Sequence, residues 1–336
     1  MRITKERLLT LTQTYINKLI RSDHSVVCVY LVGSMLEEDP FINGTTDVDL
    51  VIVHNLPVSA PREIVTITPE ATLDIHHIEQ NTYSPPRKIR KDPWVGSSLC
   101  FDPIVLYGTG HWFEFAQASV EAGFFQPEAV IYRSRLFSNA AREKFNSLGK
   151  TIQKKGNYPA AYLKTVENAA NAVATLVGKP LTDRTMLKQF KTIADDLDEP
   201  ELMADLHALL LGNRDISPYY EYFFNAWKYY VEFFGNNPVS SSMIKLNASR
   251  LLYYIRPVEW YWNEHLTSSI WLMAKTWSSI ANFIQLDDNE YYNSFLTMLE
   301  ISPHFYYQRH NQLEALLEKV EDVQEKWGRE KGIIEP

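Results

Sequence analysis

Cysteine is scarce in this chain. Its 336 residues hold two, Cys28 and Cys100, too few for a disulfide framework or a cysteine-rich zinc site, which suits a reducing cytosol and a cytoplasmic protein. Basic charge is also in deficit: 33 Lys and Arg stand against 41 Asp and Glu, a formal charge of −8. Tracking a long nucleic acid takes clustered cations to neutralise phosphate, so that class of partner is not expected, although a local basic groove stays open. Long apolar runs are missing too. No window approaches the length of a membrane span, and the opening MRITKERLLTLTQTYINKLI scatters charges where a signal peptide needs an uninterrupted apolar core. No repeat period is visible. What is present, 45% hydrophobic and 13% aromatic residues, is enough for two ordinary domains with real cores.

The most informative stretch is VVCVYLVGSMLEEDPFINGTTDVDLVIV, residues 26 to 53. Val26 to Val32 and Val48 to Val53 are β-branched, apolar runs with the composition of buried strands. Between them Gly33 can take backbone angles closed to other residues, so the chain can turn sharply as it leaves the first strand. Ser34 follows with a hydroxyl and a free amide, a natural cradle for phosphate. Side chains alternate along a strand, so Asp47 and Asp49 project from one face while Val48 points into the core. Two carboxylates on one face repel each other unless a cation lies between them, and hard oxygen ligands select magnesium or manganese over zinc. A bare Asp-Val-Asp is more often a turn residue and a solvated strand residue; the Gly-Ser upstream changes the weighing.

The string Val32-Gly33-Ser34, the segment Met35 to Thr46, then Asp47-Val48-Asp49-Leu50 resembles the signature of the DNA polymerase β-like nucleotidyltransferase superfamily. That superfamily also carries a third carboxylate on a later strand, and Thr72-Leu73-Asp74-Ile75-His76 supplies one with the right alternation. The resemblance implies an α+β fold, with an N-terminal catalytic domain (residues 1 to 125) built like the polymerase β palm, a mixed sheet with helices. It implies catalytic, metal-binding roles for Asp47, Asp49 and Asp74, two Mg2+ ions with Mn2+ as a substitute, and phosphate binding at Gly33 and Ser34.

In chain order, Thr4 to Ile20 carries a broad apolar helical stripe. Glu63 to Thr68 and Ala71 to Ile78 are strand-like runs about Pro69-Glu70. Neighbours on a strand point to opposite sides, so at most one of His76 and His77 joins Asp74, and His54 reads as a loop residue. Arg87, Lys88, Arg90 and Lys91 form a basic stretch that is either a solvated helix start or a phosphate-facing patch. Asp102 to Gly108 is one more short strand, and His111 to Glu121 a helix. From residue 126 to 336 strand patterns vanish. Helical stripes run over Pro127 to Leu148, Pro159 to Val177, Thr182 to Leu197, Glu201 to Leu211, Pro218 to Phe234, Val258 to Phe283, Asn289 to Ile301 and Pro303 to Trp327, an all-helical second domain closing the cleft. Its crowd of Tyr and Trp is mostly core, with some left to line an acceptor pocket.

The segment Tyr162 to Thr182 followed by Leu187 to Phe190 resembles the helical domain of aminoglycoside-type, small-molecule nucleotidyltransferases, in which cations reach back to the triphosphate. Lys164 and Lys188 are the candidates here, each weighed against an ordinary solvated lysine. The expected reaction moves a nucleoside monophosphate from a nucleoside triphosphate, ATP first, to a hydroxyl of a small acceptor, with pyrophosphate released. Two alternatives stand beside it: transfer to a protein or an RNA end, as in toxin–antitoxin modules, and a non-catalytic nucleotide-binding regulator. The expected partners are the nucleotide, the small hydroxylated acceptor and, for enzymes that complete a cleft between subunits, a second copy of the chain. A fused helical ribonuclease is not expected, because His207, His265 and His310 lack an Arg at the required distance upstream.

Overall fold

The structure, a computed structural model, describes residues 3–154, 157–238, 243–281 and 289–333. It divides into two compact units, Met1–Ala129 with Ser240–Pro257, and Val130–Val239 with Val258–Pro336.

The first unit is α+β. Helix α1 (Lys5–Ser22) begins where the Thr4 hydroxyl accepts from the Arg7 amide at 3.3 Å, which satisfies one of the donors a first turn leaves without a partner. The strands β1 (Val26–Val32), β2 (Thr46–His54), β3 (Arg62–Thr68), β4 (Ala71–Glu79) and β5 (Ile104–Gly108) form one sheet in the order β3-β4-β2-β1-β5. β2 and β4 run parallel and the other pairs antiparallel, so the sheet is mixed. The short helices α2 (Pro86–Ile89) and α3 (Val95–Cys100) and the longer α4 (Trp112–Phe124) complete the unit before residue 129. In the basic stretch, Arg90 donates to the Ser119 carbonyl at 2.7 Å.

Alternation along the strands sorts the sheet into two apolar layers. Leu31, Leu50, Ile52, Leu73 and Ile75 pack with Leu8 and Ile16 of α1 on one face. Tyr30, Val51 and Val53 pack with Ile89, Leu99, Phe113, Val120 and Phe124 on the other. Each such aliphatic or aromatic side chain contributes roughly 1.5–3 kcal/mol on burial, which is what seats the helices on the sheet. The consequence for the site lies in β2. Asp47, Asp49, Val51 and Val53 share one face, so two carboxylates head a row whose remainder is hydrophobic core.

The second unit is helical: most of α5 (Pro127–Gln153), α6 (Tyr158–Ala174), α7 (Met186–Asp196), α8 (Glu201–Leu211), α9 (Tyr220–Asn236), the last part of α10 (Leu251–Glu264), α11 (Leu266–Ala281), α12 (Glu290–Met298) and α13 (Tyr306–Glu330). Its aromatics divide as their helical spacing demands. Trp227, Trp271, Trp277 and Tyr261 are buried, while Tyr219 and Tyr222 line an open cleft of about 840 Å³ with Phe223, Glu290 and Asn293. The helix expected over Val258 to Phe283 is two helices, broken at His265 and starting earlier, at Leu251. No glycine or proline marks the break; the His265 carbonyl instead accepts from the Ser268 amide at 2.9 Å and its ring meets the Ser268 hydroxyl at 3.0 Å, which starts α11 afresh. Phe283 lies outside the described residues. Among the described residues no helix is long and apolar enough to cross a membrane.

Candidate active site

The site begins at the end of β1. Val32 is extended, and Gly33 then takes φ +76°, left-handed backbone that opens a 3₁₀ turn over Gly33–Leu36. A Cβ on Gly33 would stand 2.0 Å from Oδ2 of Asp49. Glycine is therefore required twice, for the turn and for the space the carboxylate fills. The Ser34 hydroxyl, half-buried, lies 3.4 Å from that of Thr46 at the start of β2.

Register brings the acids together. β2 and β4 pair Asp49 with Asp74 and Asp47 with Thr72, and residues paired across a parallel ladder project to the same side of the sheet. One carboxylate oxygen from each of Asp47, Asp49 and Asp74 lies within 4.8 Å of the others. Asp47 and Asp74 are buried. Burial, then the charges of Asp47 and Asp74, push the Asp49 carboxyl well above the ordinary carboxylate range.

Two arginines answer this charge. Arg62, at the head of β3, grips Asp74 with both ends of its fork, Nε to Oδ1 at 2.8 Å and Nη2 to Oδ2. Arg250, 2% exposed, bridges two acids: Nη1 donates to Asp74 Oδ2 at 2.7 Å and Nη2 to Asp47 Oδ2 at 2.9 Å. Burial works against the Asp74 carboxylate, but the Arg62 hydrogen bond and the charges of Arg250 and Arg62 outweigh it and hold the group below its ordinary value. Burial likewise opposes the charge on Arg250, and the fields of Tyr253, Asp47, Tyr254 and Asp74 more than offset it. The guanidinium carbon sits 4.1 Å from the centre of the Tyr253 ring.

The donor set fits a hard divalent cation. Three carboxylates converge, and the buried Thr72 hydroxyl, on the same face of β4, has no hydrogen-bond partner. Oxygen-only sites of this kind suit Mg2+ or Mn2+. His76 reaches Asp74 only at 3.8 Å. His77 turns to the other face, where its Nδ1 is 2.9 Å from His54 Nε2. His54 is thus not in a loop: it is the buried last residue of β2, held also by the Ser25 hydroxyl at 2.8 Å.

Gly33, Ser34, Asp47, Asp49 and Asp74 all belong to the first unit. Lys164 and Lys188 belong to the second; Lys164 pairs with Glu167 at 2.7 Å and Lys188 is exposed on α7. The two arginines are the residues that sequence reasoning missed. Arg62 could have been found, since a hairpin about Pro69-Glu70 returns its strand alongside Asp74. Arg250 has no local signal.

Fold and site together define an α+β protein whose buried acidic triad can hold a metal ion. No family model matches the chain, and no curated protein matches it. Among solved structures, it aligns with a nucleotidyltransferase-like protein from Exiguobacterium sibiricum 255-15 at 10% identity, over 88% of this chain and 90% of that one, with a TM-score of 0.34. At that TM-score the alignment adds nothing to what the triad itself carries.

Proposed function

We propose that this chain is a metal-dependent nucleotidyltransferase that moves a nucleoside monophosphate from a nucleoside triphosphate, ATP first, to a hydroxyl of a small, aminoglycoside-like acceptor. The observation that carries the reading is the convergence of Asp47, Asp49 and Asp74 beside a turn whose glycine leaves room for a carboxylate. Asp47 and Asp49 would hold the cation, with Asp74 closing the set. A bound divalent ion supplies charge neutralisation on the phosphates and a template for in-line displacement.

The chain's own groups do the rest. The Ser34 hydroxyl and the amides of the 33–36 turn bind the β- and γ-phosphates. The acceptor oxygen bonds to the α-phosphorus, the bond from that phosphorus to the bridging oxygen breaks, and pyrophosphate leaves. Asp74 takes the hydroxyl proton. The hydrogen bond from Arg62 and the charges of Arg250 and Arg62 hold its carboxyl below the ordinary value.

The test incubates the chain and Mg2+ with each α-labelled nucleoside triphosphate against aminoglycosides, lincosamides, tRNA and the protein itself. Label in a small acceptor with stoichiometric pyrophosphate is expected. Asp47→Ala should cost roughly three decades of rate, since losing one metal-binding carboxylate removes several kcal/mol of transition-state stabilisation. Label in tRNA or protein alone would reassign the acceptor. No transfer and no pyrophosphate with any nucleotide would overturn the reading.

A further inference from the structure

Arg250 stands where the triad's cation would have to act. Its fork spans Asp47 and Asp74 at 2.9 and 2.7 Å, from a position 203 residues beyond the first and 176 beyond the second. Arg62 does something different, since both its bonds go to Asp74 alone. Three carboxylates already face two guanidinium groups. A divalent ion added to this set would lie within a few ångströms of a buried positive charge, and like charges repel strongly in a site so poorly solvated.

We propose that Arg250 is a built-in competitor for the triad: a divalent ion binds by displacing its guanidinium from Asp47 and Asp74, while Arg62 stays on Asp74. The inference rests on the reading that the carboxylates bind such an ion.

Three observations support an exchange over a permanent clamp. The Arg250 Nε is buried without a hydrogen-bond partner, so the carboxylate-bound pose leaves one strong donor unsatisfied, which is costly in an interior. The guanidinium carbon already lies 4.1 Å from the centre of the Tyr253 ring, a hold that does not depend on the carboxylates, and aromatic faces hold guanidinium groups well when water is excluded. The segment that carries Arg250 is also anchored without its help. The Asn247 carboxamide oxygen accepts from the Ser249 amide at 3.0 Å, Asn43 donates to the Arg256 carbonyl at 3.0 Å, and Arg256 pairs with Glu70 at 3.7 Å. The side chain can therefore let go while its backbone stays.

The experiment measures Mn2+ binding in the absence of nucleotide, by loss of the free-ion electron paramagnetic resonance signal, on the full chain and on Arg250→Gln. The variant is expected to bind at least tenfold tighter, and Asp49→Asn on that background to remove the gain. In the unsubstituted chain, saturating Mg2+ is expected to shift or broaden the Arg250 Nε–H resonance, identified by its absence in the variant or in Arg250→Lys. This second arm decides the matter if Arg250→Gln does not fold. Equal or weaker Mn2+ binding by a folded Arg250→Gln would overturn the proposal, as would an Nε–H resonance unmoved while Mg2+ occupies the triad. If neither chain binds Mn2+, the metal reading falls along with the inference. If the chain binds Mn2+ through Asp49 without moving Arg250, only the inference falls.

Discussion

Replacing Gly33 with alanine isolates the requirement that the site places on the backbone. The residue sits at φ +76°, where an L side chain costs roughly 1–2 kcal/mol. The new Cβ would also meet Asp49 Oδ2 at 2.0 Å and its carboxyl carbon at 2.9 Å, so the carboxylate must move. Forcing atoms into a filled space costs roughly 1–3 kcal/mol more, for a total of about 2–5 kcal/mol. At about 2–4 °C per kcal/mol for a domain of this size, that is a drop in Tm of roughly 4–20 °C. Gly44→Ala is the matched control: its φ is +74°, but its nearest new contact is Arg256 Nη1 at 3.7 Å. It should pay the backbone cost alone. Scanning calorimetry and Mn2+ titration on both variants separate the two terms. Gly33→Ala should melt well below Gly44→Ala and bind Mn2+ about tenfold more weakly, because Asp49 has been pushed from its place. Equal melting and equal affinity would refute the claim that this glycine exists to admit the carboxylate.

Two further expectations concern single groups. Asp49 is held well above the ordinary carboxylate value by burial and by its two acidic neighbours, so the folded state binds its proton more tightly than the unfolded chain does. Stability from this group is therefore highest at low pH and is lost as pH rises through the folded value. Without divalent ions, Asp49→Asn should be more stable than the parent in urea at pH 7.5, with the gap narrowing at pH 4.5; a less stable variant at pH 7.5 would contradict the assignment. Cys28 is fully buried on β1, and burial, with the charge of Glu114, pushes its thiol up to about 12. Thiolate is the reactive form, so iodoacetamide mapped by mass spectrometry should label Cys28 only after unfolding, and native labelling of Cys28 would show that β1 opens.

How much could be read in advance followed the range of the interactions. Period-two alternation is local, so the row Asp47, Asp49, Val51, Val53 and the placement of Asp74 were legible, and the parallel pairing of Asp49 with Asp74 is what that alternation needs in order to converge. The arginines were not legible to the same degree. Arg62 reaches Asp74 through the β3–β4 register, one hairpin away. Arg250 arrives from a segment beyond most of the helical unit, and nothing in Asn247-Ala248-Ser249-Arg250 distinguishes it from any capped turn. His54 read as a loop residue because its partners, Ser25 and His77, lie on other elements. The break at His265 carries neither glycine nor proline, so periodicity ran straight through it.

The central claim is that Asp47, Asp49 and Asp74 together bind a divalent cation. Anomalous scattering from a crystal of the chain at saturating Mn2+ measures that directly. A single strong peak, or a pair, at about 2.1 Å from carboxylate oxygens of Asp47, Asp49 and Asp74 is the predicted result. An anomalous map with no peak at these oxygens, in a crystal whose triad is intact, would contradict it.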